Sequence, residues 1–327
     1  MFLIRLKQAL GSIKRNYYLL DIIDRKTAIT IILNRFHYFL ELSDDKKHLL
    51  NEEKHSIIKN FLLENVFQNF DFSFNPDKAD HTTTNVSTIP IWVCWWQGEE
   101  SMPELNKICV NSIKKYAGTH PVKIITFDNV SNYINIPSNI FDNYKNGNIS
   151  PTFLSDFLRA SLLHKFGGLW LDSTILVVEQ IQDKYFSQEF VSIKTEMLSN
   201  ASPSKYRWAG FFLGSTGNSE IFRVFRNMFI EYFNHYNKIC DYLLIDYFLS
   251  ILYDKNSNFK KIVDGKDVDQ PHLHLLEQKL NEAYSDVVAD SFRKDTSFFK
   301  LSFKIPLFDD TNDGKKTFWY SIKNGQF

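Results

Sequence analysis

Two adjacent glycines, Gly167 and Gly168, separate a helical pattern from a short apolar run in SDFLRASLLHKFGGLWLDST, which spans Ser155 to Thr174. Only glycine takes positive φ without strain, so such a pair lets a chain leave a helix through a tight αL turn and enter a strand at once. Upstream, Ser150 and Pro151 form a helix start, with serine at the N-cap and proline where its missing N–H is harmless. Leu154, Phe157, Leu158, Leu162 and Phe166 then recur at helical spacing and form a buried stripe. Downstream, Leu169, Trp170 and Leu171 read as a short buried strand that carries Asp172 to its carboxyl end. In open α/β sheets that edge is where ligands bind. Asp156 and Arg159 share one face of the helix, so an acid and a base project together. Taken singly, these features are an exposed i,i+3 ion pair, a glycine cap and an aspartate opening a turn. Together, at fixed offsets, they favour a ligand site.

The rest of the chain is consistent with an α/β domain preceded by helices. From residue 1 to about 75, apolar residues recur at helical spacing, as in Ile57, Ile58, Phe61, Leu62 and Val66. The polar stretch NPDKADHTTTNVSTIP follows as a linker or long surface loop. After Pro90, short apolar runs alternate with amphipathic helices, the pattern of a parallel or mixed sheet. Strands are expected over Ile91–Trp96, Val122–Phe127, Leu169–Leu171 and Phe211–Gly214. Helices are expected over Met102–Tyr116, Phe153–Phe166, Ser219–Tyr236 and Asp241–Tyr253.

Composition narrows the function classes. Hydrophobic residues make up 44% of the 327 residues and include 30 phenylalanines, enough to build a large core. Lys plus Arg equals Asp plus Glu at 38 each, which argues against a chain built to coat nucleic acid. The three cysteines, Cys94, Cys109 and Cys240, lack metal-site or disulfide spacing and fit reduced thiols in the cytoplasm. Neither a signal peptide nor an apolar run of roughly 18 residues is present. Arg5, Lys7, Lys14 and Arg15 lie among apolar residues near the N-terminus. They fit either a helix on the inner face of the cell membrane or a packed helix with a solvated basic face.

With these residues in view, the chain resembles glycosyltransferases of the GT-A fold that carry a DxxR, glycine-pair and DxD arrangement. It resembles especially the bacterial capsular polysaccharide synthesis family and its relatives in glycosyltransferase family 32. Asp156, Arg159, Gly167, Gly168 and Asp172 stand where the pattern wants them. IPIWVCWWQGEESMPELNKICVNSIKKY is similar to the family's first βα unit, and KLSFK, Lys300–Lys304, to its C-terminal signature. The resemblance covers about residues 86 to 306. It implies a GT-A-type mixed sheet flanked by helices over residues 86–327, with residues 1–80 as an N-terminal helical extension.

The resemblance also implies roles. Asp156 and Arg159 would bind donor-sugar hydroxyls, Gly168 would border the donor, and Asp172 would contact ribose and sugar. Trp96, Gln97 and Gly98 would meet the nucleotide base, and Lys300 or Ser302 would cover the diphosphate. The implied reaction moves a sugar, with retention, from a nucleotide sugar, expected to be a UDP-sugar, to a saccharide or lipid-linked saccharide acceptor in capsule or surface polysaccharide synthesis. Asp172 and Thr174 would hold Mn²⁺ or Mg²⁺.

Thr174 is the departure, because it replaces the second carboxylate of DxD and a neutral hydroxyl is a poorer ligand for a hard ion. Three readings follow: a weak, water-rich metal site; replacement of the metal by cations such as Lys300 and Lys304; or a decayed enzyme acting as a binding subunit of an assembly complex. A metal-dependent phosphate-ester hydrolase would need more carboxylates or histidines near Asp172. Lys300, Ser302 and Lys304 would share one side of a strand, which also suits a solvent-facing edge. His272 and His274 read as surface histidines, and Asp246 as either an acceptor contact or a local cap. Trp92, Trp95 and Trp96 fit the core as well as a ligand face.

Overall fold

The computed structural model describes residues 10–11, 13, 16–21, 23–37, 43–74, 89–197 and 199–327. Two helices lead, α1 (Arg25–His37) and α2 (Asp44–Asn65). The βαβ unit follows as β1 (Ile91–Cys94), α3 (Glu104–Tyr116) and β2 (Val122–Ile125). After α4 (Ser138–Lys145), helix α5 (Pro151–Phe166) runs directly into β3 (Gly168–Leu171). Strands β4 (Ile175–Val177), β5 (Val191–Ser192) and β6 (Phe212–Ser215) precede helices α6 (Glu220–His235), α7 (Leu244–Lys255) and α8 (Ser257–Asp264). Helices α9 (Leu275–Lys279) and α10 (Asp286–Arg293), strand β7 (Phe298–Lys300) and helix α11 (Phe318–Lys323) complete the order.

The main sheet has five strands in the order β2-β1-β3-β6-β5, and β4 pairs separately with β7. β1 is parallel to β2 and β3, whereas β6 and β5 add antiparallel. This is the mixed, helix-flanked α/β architecture expected from the sequence. Strand parity sorts the core. Trp92 and Trp170 face the layer of α5, α6 and α7, while Ile91, Val93, Leu169 and Leu171 face α3 and β4. A further cluster holds the C-terminal elements through Leu276, Phe299 and Trp319.

Local signals set the junction that aims Asp172. Ser150 Oγ accepts from the Phe153 N–H, capping α5 as expected. Gly167 ends the helix at φ 66° and ψ −157°, and Gly168 follows at φ 101°. Both angles are positive, but the Gly167 ψ is extended, so the pair swings into β3 without an αL residue at the cap. A Cβ on Gly168 would lie 2.2 Å from the Pro90 carbonyl oxygen, so β3 approaches the lead-in to β1 more closely than a side chain allows.

Three expected strands are shorter, and of these Val122–Phe127 closes at Ile125. Ile91–Trp96 closes at Cys94 because the chain turns at Trp95–Gly98, where the Gly98 N–H donates back to the Trp95 carbonyl at 3.0 Å. KLSFK is strand only as far as Lys300. Its partner β4 begins at Ile175, opposite Lys300, and the chain before it turns through Asp172–Ile175, so no ladder remains for Ser302 and Lys304.

Helix α2 shares its core with α5, α6 and α7. Ile58, Phe61 and Leu62 are buried in the same cluster as Phe248 of α7, and Phe67 meets Phe248 edge-on at 5.3 Å. His55 Nε2 donates to the Asn200 carbonyl at 2.9 Å, so its Nδ1 is the acceptor for the Tyr247 hydroxyl at 2.8 Å. Burial pushes this imidazole down to about 4. Arg5, Lys7, Lys14, Arg15 and the polar stretch 75–88 lie outside the described residues. Among the described residues, no helix is long and apolar enough to cross a membrane.

Candidate functional site

A cavity of about 680 Å³ opens at the carboxyl ends of β1 and β3. The turn after β1 lends it Trp95, Trp96 and Gln97, and α5 lends Arg159. The turn after β3 supplies Asp172 and Thr174, and the segment that begins at the end of β7 supplies Lys300, Ser302 and Lys304. Stretches far apart in sequence therefore meet at one sheet edge. Gly98, Gly168 and Asp156 do not line it.

Asp172 is the centre of a charge cluster. Its Oδ1 accepts from Trp170 Nε1 at 3.0 Å, a bond between residues on the same face of β3. Arg159 Nη2 lies 3.8 Å from that oxygen, and Lys300 Nζ lies 3.9 Å from Oδ2. Arg159 is itself fixed on several sides. It pairs with Asp156 at 2.8 Å, donates to the Gly210 carbonyl, and lies over the Trp170 ring at 5.0 Å.

Asp156 stands behind Arg159, away from the cavity, although i,i+3 spacing puts both on one helix face. Helix α5 is buried on nearly all sides, and only the longer guanidinium reaches the opening. Burial raises the Asp156 carboxyl to about 7; Arg159 opposes this, and the nearby Asp172 and Asp246 add to it. The pair is thus buried, not the exposed i,i+3 pair that the spacing taken singly suggests.

The surroundings of Asp172 do not fit a divalent ion. Lys300 Nζ donates to Thr174 Oγ1, so an ammonium already holds the hydroxyl expected to be the second ligand. Two cations flank the one carboxylate. Among the described residues, no group of three or more His, Cys, Asp or Glu side chains could hold a metal ion.

The three tryptophans differ in burial. Trp96 is 4% exposed, stacks on Phe127 at 4.6 Å and donates its Nε1 to the Pro151 carbonyl and Ser155 Oγ, so its ring is mostly core. Trp95 is half-buried at the cavity, with its Nε1 on Ser101 Oγ at 2.9 Å and Phe303 edge-on at 6.0 Å. Trp92 is core, donating to the Gly167 carbonyl at 2.8 Å. Strand parity could not select Trp95, because the strand ends before it.

Other side chains reach the cavity without a sequence signal to single them out: Tyr242, Glu277 and Phe211. His274 lines it as well, edge-on to Phe211 at 5.9 Å, and burial lowers its imidazole. His272 does not join it; it lies 3.3 Å from Asp295. Cys94 also lines the cavity, but burial pushes its thiol up to about 12, so it is no thiolate nucleophile. Asp246 accepts from Ser202 at 2.8 Å and Trp208 Nε1 at 3.0 Å, inside a second cavity of about 210 Å³ that shares Phe211 and His274 with the first.

A family model described as "Capsular polysaccharide synthesis protein" matches residues 39–322 of the chain. No curated protein matches it.

Proposed function

From the premise that this chain belongs to the capsular polysaccharide synthesis protein family, we propose that it is a glycosyltransferase moving a sugar from a nucleotide sugar to a saccharide acceptor. The observation that carries this reading is Asp172, flanked by Arg159 at 3.8 Å and Lys300 at 3.9 Å on the wall of the 680 Å³ cavity. A nucleotide sugar presents hydroxyls, a diphosphate and a flat base. The cavity offers a carboxylate and guanidinium, an ammonium, and the accessible face of Trp95 in matching kinds.

In this reading, Asp172 and Arg159 hold donor hydroxyls, with Asp156 and Trp170 as positioning residues behind them. The base lies against Trp95 and Gln97, and a UDP-sugar is the donor to try first. Ser302 and Lys304 close over the diphosphate. The acceptor, a saccharide or lipid-linked saccharide, enters from the smaller cavity near Phe211 and His274. Transfer forms a bond from the acceptor oxygen to the anomeric carbon and breaks the bond to the diphosphate oxygen. The electron pair leaves with the diphosphate, which takes the acceptor proton from the same face, so configuration is retained. Asp172, ion-paired on both sides, suits hydroxyl binding better than proton transfer. Catalysis is then positioning plus stabilisation of leaving-group charge. We place the reaction in the cytoplasm, at the inner face of the membrane, where the basic N-terminal residues would rest.

A metal-dependent phosphoesterase is disfavoured because the cavity acids are Asp172 and Glu277 alone among the lining residues. The deciding experiment is a thermal-shift screen with nucleotides and nucleotide sugars, followed by assay of released nucleoside diphosphate with saccharide acceptors. A donor at about 100 times its dissociation constant should add about 2.7 kcal/mol of stability. If no nucleotide shifts the melt, the donor-site reading falls. Binding without turnover on any acceptor would make the domain a binding subunit instead.

A further inference from the structure

We propose that Lys300 occupies the place of a divalent cation, so that this donor site binds and activates its diphosphate without metal. The inference rests on the donor-site reading above and adds the agent that replaces the ion. Three observations converge on it. The Lys300 ammonium donates to Thr174 Oγ1, at the position where a metal site would want a carboxylate. It also lies 3.9 Å from Asp172 Oδ2, so it spans both ends of the Asp-Ser-Thr turn. With Arg159 it supplies two positive charges at Asp172, as many as a divalent ion carries.

The lysine is held there by the backbone. Strand β7 pairs with β4 in the register Lys300↔Ile175, which sets Lys300 beside the residue that follows Thr174. Its N–H donates to the Leu273 carbonyl at 2.8 Å, and its ammonium lies 5.3 Å from the centre of the Phe211 ring. An ammonium has three donors, and Thr174 uses one, so donors remain for oxygens entering the cavity. As the bond from the anomeric carbon to the diphosphate oxygen breaks, the charge arriving on that oxygen meets a fixed cation. No reorganisation is needed at that moment. The same cation opposes a metal, because any ion ligated by Asp172 and Thr174 would have to displace Lys300 from its hydroxyl partner.

The test is calorimetric titration of the full chain with a panel of nucleoside diphosphates, UDP first, in EDTA and separately in MnCl₂. The wild type should bind one of them in EDTA with a dissociation constant within about twofold of that in Mn²⁺. Lys300→Met, which keeps a long unbranched side chain without the charge, should lose at least about tenfold in affinity in both buffers, about 1.4 kcal/mol. Lys300→Arg should retain most of it. Binding by the wild type only in Mn²⁺ would overturn the metal-free inference while leaving the donor site standing. Unchanged affinity in Lys300→Met would overturn it too. Absence of binding to every nucleoside diphosphate in both buffers would remove the donor site itself.

Discussion

Asp156 and Arg159 form an ion pair of 2.8 Å in which both side chains are more than nine-tenths buried. Arg159→Ala removes the guanidinium that Asp156, the Gly210 carbonyl and the Trp170 ring all meet, so it should destabilise the fold by about 3–5 kcal/mol. Urea unfolding monitored by tryptophan fluorescence measures this. An unchanged midpoint would mean that the pair is not structurally required.

Asp156 also makes a prediction about pH. Its folded-state carboxyl is raised from 3.8 to about 7, chiefly by burial, so between about pH 4 and 7 the folded chain binds a proton that the unfolded chain has released. This group's contribution to stability therefore falls as pH rises through that window. Asp156→Asn, which cannot ionise, should gain relative to the wild type from pH 5 to pH 7. A constant difference between the two proteins across that range would contradict it.

His55 works in the opposite direction. Its imidazole is lowered from 6.5 to about 4 by burial, so below pH 6.5 the unfolded chain takes up a proton that the folded chain refuses. Stability from this residue is complete above pH 6.5 and is lost as pH falls toward 4, by about 3 kcal/mol in all. His55→Gln should flatten that part of the stability profile. A slope identical to the wild type between pH 4.5 and 6.5 would show that His55 is not its source.

The adjacent tryptophans should separate cleanly. Trp96→Ala empties a buried site and should cost about 3–5 kcal/mol of stability. Trp95→Ala removes a half-buried ring at the cavity, and should leave the melt nearly unchanged while weakening nucleotide binding by about 1 kcal/mol, roughly fivefold. Thermal melts and titrations on both variants would reveal a reversed pattern at once.

Gly168→Ala should be severe, at about 3 kcal/mol or more, because φ 101° is strained for alanine and the new Cβ would lie 2.2 Å from the Pro90 oxygen. It would also come 2.9 Å from Trp92 Nε1, which should shift the tryptophan emission spectrum. A variant as stable as the wild type would show that β1 and β3 can separate here.

What could be read in advance depended on how local its cause was. Ser150 and Pro151 started α5 and the glycine pair ended it, because caps and positive φ are decided within a few residues. Leu169, Trp170 and Leu171 form the short buried strand read from their apolar run, with alternate side chains in different core clusters. Arg159, Asp172, Thr174 and Lys300, to which the resemblance gave roles, line one cavity. Two residues to which the resemblance gave donor roles, Asp156 and Trp96, are almost wholly buried. Asp156 is hidden because α5 is enclosed by other elements, a fact that no i,i+3 interval contains. Trp95 is more open to the cavity than Trp96 because β1 ends before either, and a turn has no parity.

The sequence by itself determined the helix–glycine–strand unit and the delivery of Asp172 to the edge of a sheet, since capping, backbone freedom and side-chain alternation are short-range effects. Only the tertiary structure decided what Asp172 meets. The ammonium that holds Thr174 comes from 126 residues away, placed by the β4–β7 register. Strand pairing over such a distance depends on how the whole core closes, and the spacing of residues along the chain carries no record of it.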